Sequence, residues 1–383
     1  MRTGKHTFHQ RPAGSLFFLL WLGCLVSVPA RGQSAESPDT LQASRATLDF
    51  KGQALAYTHI NPSNALPWWN GVRYIPQVNA RVPLKGTGAF DLEASGNLYG
   101  NAGWQPFDTA HAAGDVKPYR LWLRYATHQL EIRAGLQKIN FGSASLLRPL
   151  MWFDQIDPRD PLKLTDGVWG VLGRYYFLNN ANLWLWALYG NENRKGWEAF
   201  PSVSRKSEFG GRLQLPVPAG EAAFSYHHRQ ADLTSLGAGE PALVLAGSAE
   251  NRFGFDVKVD AVVGLWLEGS WSNFREELGA MTNQEIINLG MDYTFGVGNG
   301  LTIVFEQLMA ASDERAFAFE NTVHFSLLNM SYPLGLFDNL SAIVYFDWTG
   351  KRMYNFMTWQ RQFNRLALYV MGYINPKEYD IPT

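Results

Sequence analysis

Along residues 120–177, hydrophobic and polar positions alternate with a period of two. Leu121, Leu123 and Tyr125 are interleaved with Arg120, Trp122 and Arg124. Leu130, Ile132, Ala134 and Leu136 are interleaved with Glu131, Arg133, Gly135 and Gln137. A tight turn at 127–129 joins the two runs, and a third strand returns after the irregular stretch 140–167. Such alternation marks strands lying between one apolar and one polar medium. A soluble sandwich has the same period, so what decides is whether the pattern persists and where the chain is delivered.

The pattern persists. Val72, Tyr74, Pro76, Val78, Ala80, Val82 and Leu84 share a face opposite Arg73, Gln77, Asn79 and Arg81. Phe253, Phe255, Val257 and Val259 alternate with Arg252, Asp256, Lys258 and Asp260, and the same grammar holds at 287–295 and 340–348. The prolines within 72–84 predict bulges or gaps in pairing, and a phase slip at Leu327-Leu328 predicts a further bulge. Short connections at 85–87, 127–129, 178–182, 216–221 and 296–300 alternate with long ones at 100–118, 140–167, 191–207 and 234–250. Short turns on one rim and long loops on the other describe an up-and-down antiparallel barrel. Tyr57, Tyr189, Tyr226, Trp271 and Trp348 fall on the apolar face near the long loops, and Tyr125, Phe177, Phe295 and Tyr332 near the short turns. Aromatic bands at both strand ends suit the two interfaces of a lipid bilayer. The fold expected is all-β, an antiparallel transmembrane β-barrel of about 16–18 strands with the third long loop folded inward.

The start of the chain predicts its destination. Arg2, Lys5 and Arg11 precede an apolar run of 16–30 that ends in small residues, with cleavage fitting after Ala30 or after Gly32. Residues 1–32 read as a signal peptide, 33–44 as a flexible periplasmic lead-in, 45–375 as the barrel and 376–383 as a tail. The only cysteine, Cys24, lies in the leader, so disulfides cannot hold the mature chain and a closed hydrogen-bonded sheet must serve instead. The formal net charge is −1, and losing the leader removes four basic residues and no acid. That balance gives no support to nucleic-acid binding.

Chemistry enters through the polar face. The early strands turn Arg73, Arg81, Arg120, Arg124, Arg133, Arg174 and Arg212 inward, and the later ones Asp256, Asp260, Glu268, Asp292, Glu306 and Asp347. The stretch 140–167 holds Asp154, Asp157, Asp160 and Asp166. Folded into the lumen, its carboxylates would oppose the arginines across a narrow aqueous path, and rings of charge select solutes by sign and size. The alternative is that these charges pair to fill a polar interior. The apolar cluster Leu146, Leu147, Leu150, Met151, Trp152 and Phe153 also favours burial of this loop.

Arg133, Gly135, Gln137, Ile139 and Gly142, followed by Pro149, Phe153-Asp154 and Asp160-Pro161, resemble a pattern in Gram-negative porin-like outer-membrane proteins. In those barrels an Arg-x-Gly-x-Gln-x-Ile-x-x-Gly strand precedes an inward loop rich in Asp, Asn and Pro. The resemblance implies a porin-like barrel in the outer membrane and names no solute.

Enzyme signatures are missing from the sequence: the histidines show no zinc spacing, and neither a Gly-x-Ser-x-Gly elbow nor a Walker loop occurs. His227 and His228 point to opposite faces of one strand. No cofactor and no metal are expected. Three readings stand: a porin-like channel for small polar or anionic solutes; an adhesion or binding barrel acting through its long loops; and a barrel hydrolase built on Ser225 or Ser270 near His227. The partners expected are outer-membrane lipid and small polar solutes, with a homo-oligomer left open and no nucleic acid.

Overall fold

A computed structural model of the protein describes residues 45–376 except 63, 157–159 and 235–246, together with the backbone of 23–27. The strands in chain order are β1 (Gly23–Ser27), β2 (Thr47–Ile60), β3 (Trp68–Pro83), β4 (Ala89–Trp104), β5 (Ala110–Ala126) and β6 (Leu130–Gln137). They continue as β7 (Val168–Tyr176), β8 (Asn182–Leu188), β9 (Glu208–Val217), β10 (Gly220–Ala231), β11 (Ser248–Asp260) and β12 (Gly264–Phe274). The last are β13 (Asn283–Phe295), β14 (Leu301–Asp313), β15 (Thr322–Pro333), β16 (Asp338–Asp347), β17 (Arg352–Gln362) and β18 (Leu366–Ile374). All join one 18-stranded sheet. From β2 to β18 each strand pairs antiparallel with its chain neighbour, the up-and-down order that the sequence predicts. The short β1 pairs with β18 on one side and β2 on the other, so the sheet returns to its start. Antiparallel to both, it makes β2 and β18 run in the same direction. Its residues fall within 1–32, the stretch that reads as a leader.

The sheet is turned inside out relative to a soluble protein. Leu289 is 59% exposed while its neighbour Asn288 is 0% exposed. Leu213, Leu215, Leu265, Leu267, Met291 and Phe305 are exposed too, whereas Arg212, Asp256, Glu268 and Glu306 are buried. A sheet with charge inside and aliphatic side chains outside, its strands paired in an up-and-down order, suits hydrocarbon as the outer solvent. Outward rings mark both ends: Tyr175 packs on Phe177 and Tyr293 on Phe295 at the short turns, and Phe253 on Trp271 toward the long loops.

Several expectations about detail are corrected. Residues 100–118 are not a long loop: β4 and β5 pair as far as Trp104 and Ala110, leaving a turn of 105–109. No bulge occurs at Leu327-Leu328. The β14–β15 register runs through without a shift, and Leu327 simply faces an apolar patch of the lumen. Pro76 does interrupt pairing, since Ile75 and Pro76 have no partner on β4, and the one β4–β5 irregularity falls at Ser95/Gly96, opposite Pro118. Tyr57 faces inward instead of lipid, because it shares a face with buried Leu55 and lies across from Gly71, whose missing side chain leaves room for its ring.

Candidate functional site

The connection between β6 and β7 runs through the lumen and is held by carboxylates of the far wall. Glu268 on β12 accepts hydrogen bonds from the N–H groups of Ala144 and Leu150, at 2.8 and 2.6 Å. Glu306 on β14 accepts from Ser145, Leu146 and Leu147, at 2.6, 3.0 and 2.8 Å. On β11, Asp256 accepts from Ser143 Oγ at 3.0 Å and is gripped by both terminal nitrogens of Arg212, at 2.5 and 2.9 Å. Backbone amides buried away from bulk water need acceptors, and these inward acids supply them. The loop's Leu147, 1% exposed, packs with Ile286, Leu308, Phe325, Leu327 and Tyr354. Its Leu150, Trp152 and Phe153 pack with Phe141, Leu172 and Trp186. Trp152 Nε1 donates to Ser270 Oγ at 3.0 Å.

The motif of the sequence shows its physical purpose here. Gly135 has φ 121°, and a Cβ on it would stand 2.1 Å from the Leu121 carbonyl oxygen. Gln137, fully buried, donates to the carbonyls of Arg133 and Gly170 at 3.1 and 3.0 Å and closes the strand end. Gly142 has φ 105°, and a Cβ there would meet Glu268 Oε2 at 2.5 Å. Only glycine lets the backbone turn inward that close to its clamp.

The arginines divide into two groups. Arg73, Arg81, Arg124, Arg133 and Arg174 lie on the wall β2–β7. Arg73 meets the loop's Asp160 at 2.8 Å. Arg124 bonds Asp91 at 2.8 Å, and Glu131 collects Arg133 at 2.7 Å with Arg124 and Arg174 at 3.7 and 3.8 Å. Arg174 also lies 3.9 Å over the Trp184 ring. Arg81 is 61% exposed, 3.8 Å from Asp91. The second group is structural. Arg120 donates to the carbonyls of Thr165 and Asp166, at 2.9 and 3.0 Å, and staples the loop's end to β5. Arg212 is buried with Asp256 and lies 5.1 Å over Phe141.

Of the loop carboxylates, Asp160 faces Arg73, and Asp166 meets Lys117 at 2.6 Å. Asp157 lies outside the described residues. Asp154 is 3% exposed, and Lys138 lies 3.8 Å from its Oδ2. Burial raises its carboxyl above the ordinary range, against the pull of Lys138, Arg120 and Arg148.

Sequence reasoning did not find the second inward connection, between β8 and β9. Lys195 meets Glu198 and Glu208 at 3.6 and 3.2 Å, and Arg252 meets Glu198 and Glu250 at 3.1 and 2.7 Å, all buried. The inward placement of Arg252 was legible in the alternation; its partner Glu198 in a distant loop was not. His227 joins this network with both ring nitrogens engaged, by Trp186 Nε1 at 3.1 Å and Glu208 at 3.2 Å. Ser225 Oγ instead accepts from Arg212, and Ser270 Oγ from Trp152, so the serine–histidine pairing of the hydrolase reading is not formed. Among the described residues no cluster of metal-ligating side chains occurs.

No protein-family model matches the sequence, and no curated protein matches it either. Solved porins resemble the chain's course. A Salmonella typhi OmpF complex with daunomycin aligns over 94% of this chain and 97% of its own at 8% identity and a TM-score of 0.46. An anion-selective porin from Comamonas acidovorans aligns over 93% and 99%, at 9% identity and 0.46. OprB of Pseudomonas putida aligns over 93% and 92%, at 10% identity and 0.46. Likeness at this level fixes neither family nor solute.

Proposed function

We propose that this protein is an outer-membrane channel that passes small polar solutes, anions in preference, between its inward loop and the wall β2–β7. The observation that carries the reading is the unequal lining of an inside-out barrel. On one side the loop is sealed to the wall by Glu268, Glu306 and an apolar cluster. On the other, long basic side chains remain partly exposed, with Arg81 the most accessible and Arg73 and Arg124 behind it. Water and solute would follow the polar, incompletely filled side. The five arginines outnumber the acids Asp91, Glu131 and Asp160 that meet them, so the path favours anions.

The test is conductance of the purified protein in planar bilayers. Stable open steps with anion preference are expected. A barrel that inserts and stays electrically silent contradicts the channel and favours action through the external loops.

A further inference from the structure

The outer face of β10–β14 breaks the apolar rule close to the long-loop rim. Tyr226 packs on Phe253, Phe253 stacks on Trp271, and Trp271 packs on Phe317. One outward position rimward of these rings come His228, Asn251 and Asn273. Tyr226 Oη donates to Asn251 Oδ1 at 2.8 Å, and His228 Nδ1 lies 2.9 Å from the same oxygen. Trp271 Nε1 and Asn273 Nδ2 both donate to Asn283 Oδ1, at 3.2 and 2.9 Å. Glu285, across from Trp271 on the same face, is 1% exposed. Its Oε1 accepts from the Phe317 N–H at 2.9 Å, and its Oε2 has no hydrogen-bond partner. Above this layer an open basin of about 800 Å³ is edged by Arg275, Glu277, Glu314 and Arg315, the last in an exposed ion pair with Glu320 at 3.0 Å that a phosphate would displace.

The loop after β14 is held against the outer wall to complete the shelf. Phe317 and Phe319 adopt φ of 57° and 54°, a left-handed conformation that is strained for a bulky residue and persists only where surroundings impose it. Here the Glu320 and Asn321 N–H groups are tied to Asp313, at 3.2 and 3.0 Å. A polar, charged shelf on a lipid-turned face is costly among acyl tails and fits the level of the headgroups, just outside the aromatic band. Guanidinium groups bind phosphate in a fork; asparagines and carboxylates suit sugar hydroxyls.

We propose that this shelf binds the phosphorylated sugar headgroup of a membrane glycolipid, with Arg275 and Arg315 taking phosphate. The inference rests on the proposed placement in a membrane and not on conduction, so the two fail separately. The test uses the full-length purified barrel in detergent, titrated with purified lipopolysaccharide, its dephosphorylated form and phosphatidylcholine, with bound lipid read by native mass spectrometry. Lipopolysaccharide should be retained over the other two. The Arg275→Ala/Arg315→Ala double variant should lose roughly tenfold in affinity, with bilayer conductance unchanged, and Asn251→Ala should weaken binding less. Equal binding by the double variant overturns the site, and equal retention of the dephosphorylated lipid overturns the role of the arginines. A dimer dispersed by the same substitutions in lipid-free detergent overturns it in favour of a subunit interface.

Discussion

The inner walls β2–β7 and β11–β14 obey the same alternation and end in opposite states. On β2–β7 the inward side chains are long, basic and partly accessible, meeting Asp91, Glu131 and Asp160 at the surface of the lumen. On β11–β14 the acids Asp256, Glu268 and Glu306 are wholly buried, and the two glutamates accept hydrogen bonds from loop backbone. Period two says only that both faces are polar. What lies against each wall decides whether a charge stays accessible or holds the loop, and a loop distant in sequence sets that.

The largest expected effect follows from the holding wall. In Glu268→Ala/Glu306→Ala, five loop N–H groups lose their acceptors. At about 1–3 kcal/mol for a buried unsatisfied group, partly relieved by water, several kcal/mol of loop docking should be lost. Limited proteolysis should then cut within 143–163 and conductance should rise. Arg81→Ala on the other wall should stay within about 0.5 kcal/mol and shift selectivity instead. If both variants lose stability alike, the walls are not different in kind.

Next comes the lipid face. Leu289→Arg should cost about 2–4 kcal/mol if near the midplane, read as a fall in the temperature at which heat-modified gel migration changes. The opposite face of β13 looks tolerant in the sequence, since Asn288 is polar. The structure corrects this: Asn288 is fully buried and accepts from Trp266 Nε1 at 3.2 Å. Arginine should be tolerated at Asn79, on the accessible wall, and damaging at Asn288. Damage at Asn79 equal to that at Leu289 would mean that the accessible wall is buried too.

A smaller effect is expected at Glu131, which balances Arg124, Arg133 and Arg174. Glu131→Gln should cost about 1–3 kcal/mol and strengthen anion preference in a salt gradient. Unaltered selectivity would place this cluster off the path.

The smallest concerns Asp154. Burial holds its carboxyl above the ordinary range, so the folded protein binds that proton more tightly than the unfolded chain does. Its contribution to stability is present below the unfolded value and is lost as pH rises through the folded one. Asp154→Asn should therefore raise the unfolding midpoint at neutral pH and leave it unchanged in acid. A lower midpoint at neutral pH would show that Lys138 stabilises the carboxylate more than burial penalises it.

Much of the fold was legible because alternation and turn spacing are local. The short turns and the inward loop with its buried Leu147 and Trp152 follow from residues close together in the chain. Glu268 and Glu306 read as inward acids, but their role as clamps depends on partners more than a hundred positions away. Arg120 and Arg212 illustrate the same limit. Their faces are predictable from period two, yet one staples Thr165 and the other closes on Asp256, and neither contact leaves a local mark. The extension of β4 and β5 to Trp104 and Ala110 was hidden because glycine and alanine there show no alternation.

The reversal potential in a salt gradient tests most directly where solutes run. Wild-type protein should show anion preference, and Arg73→Gln/Arg81→Gln/Arg124→Gln should move the potential toward or past the unselective value while single-channel current persists. A reversal potential unmoved by the triple substitution would contradict a path along β2–β7 and place conduction elsewhere in the lumen.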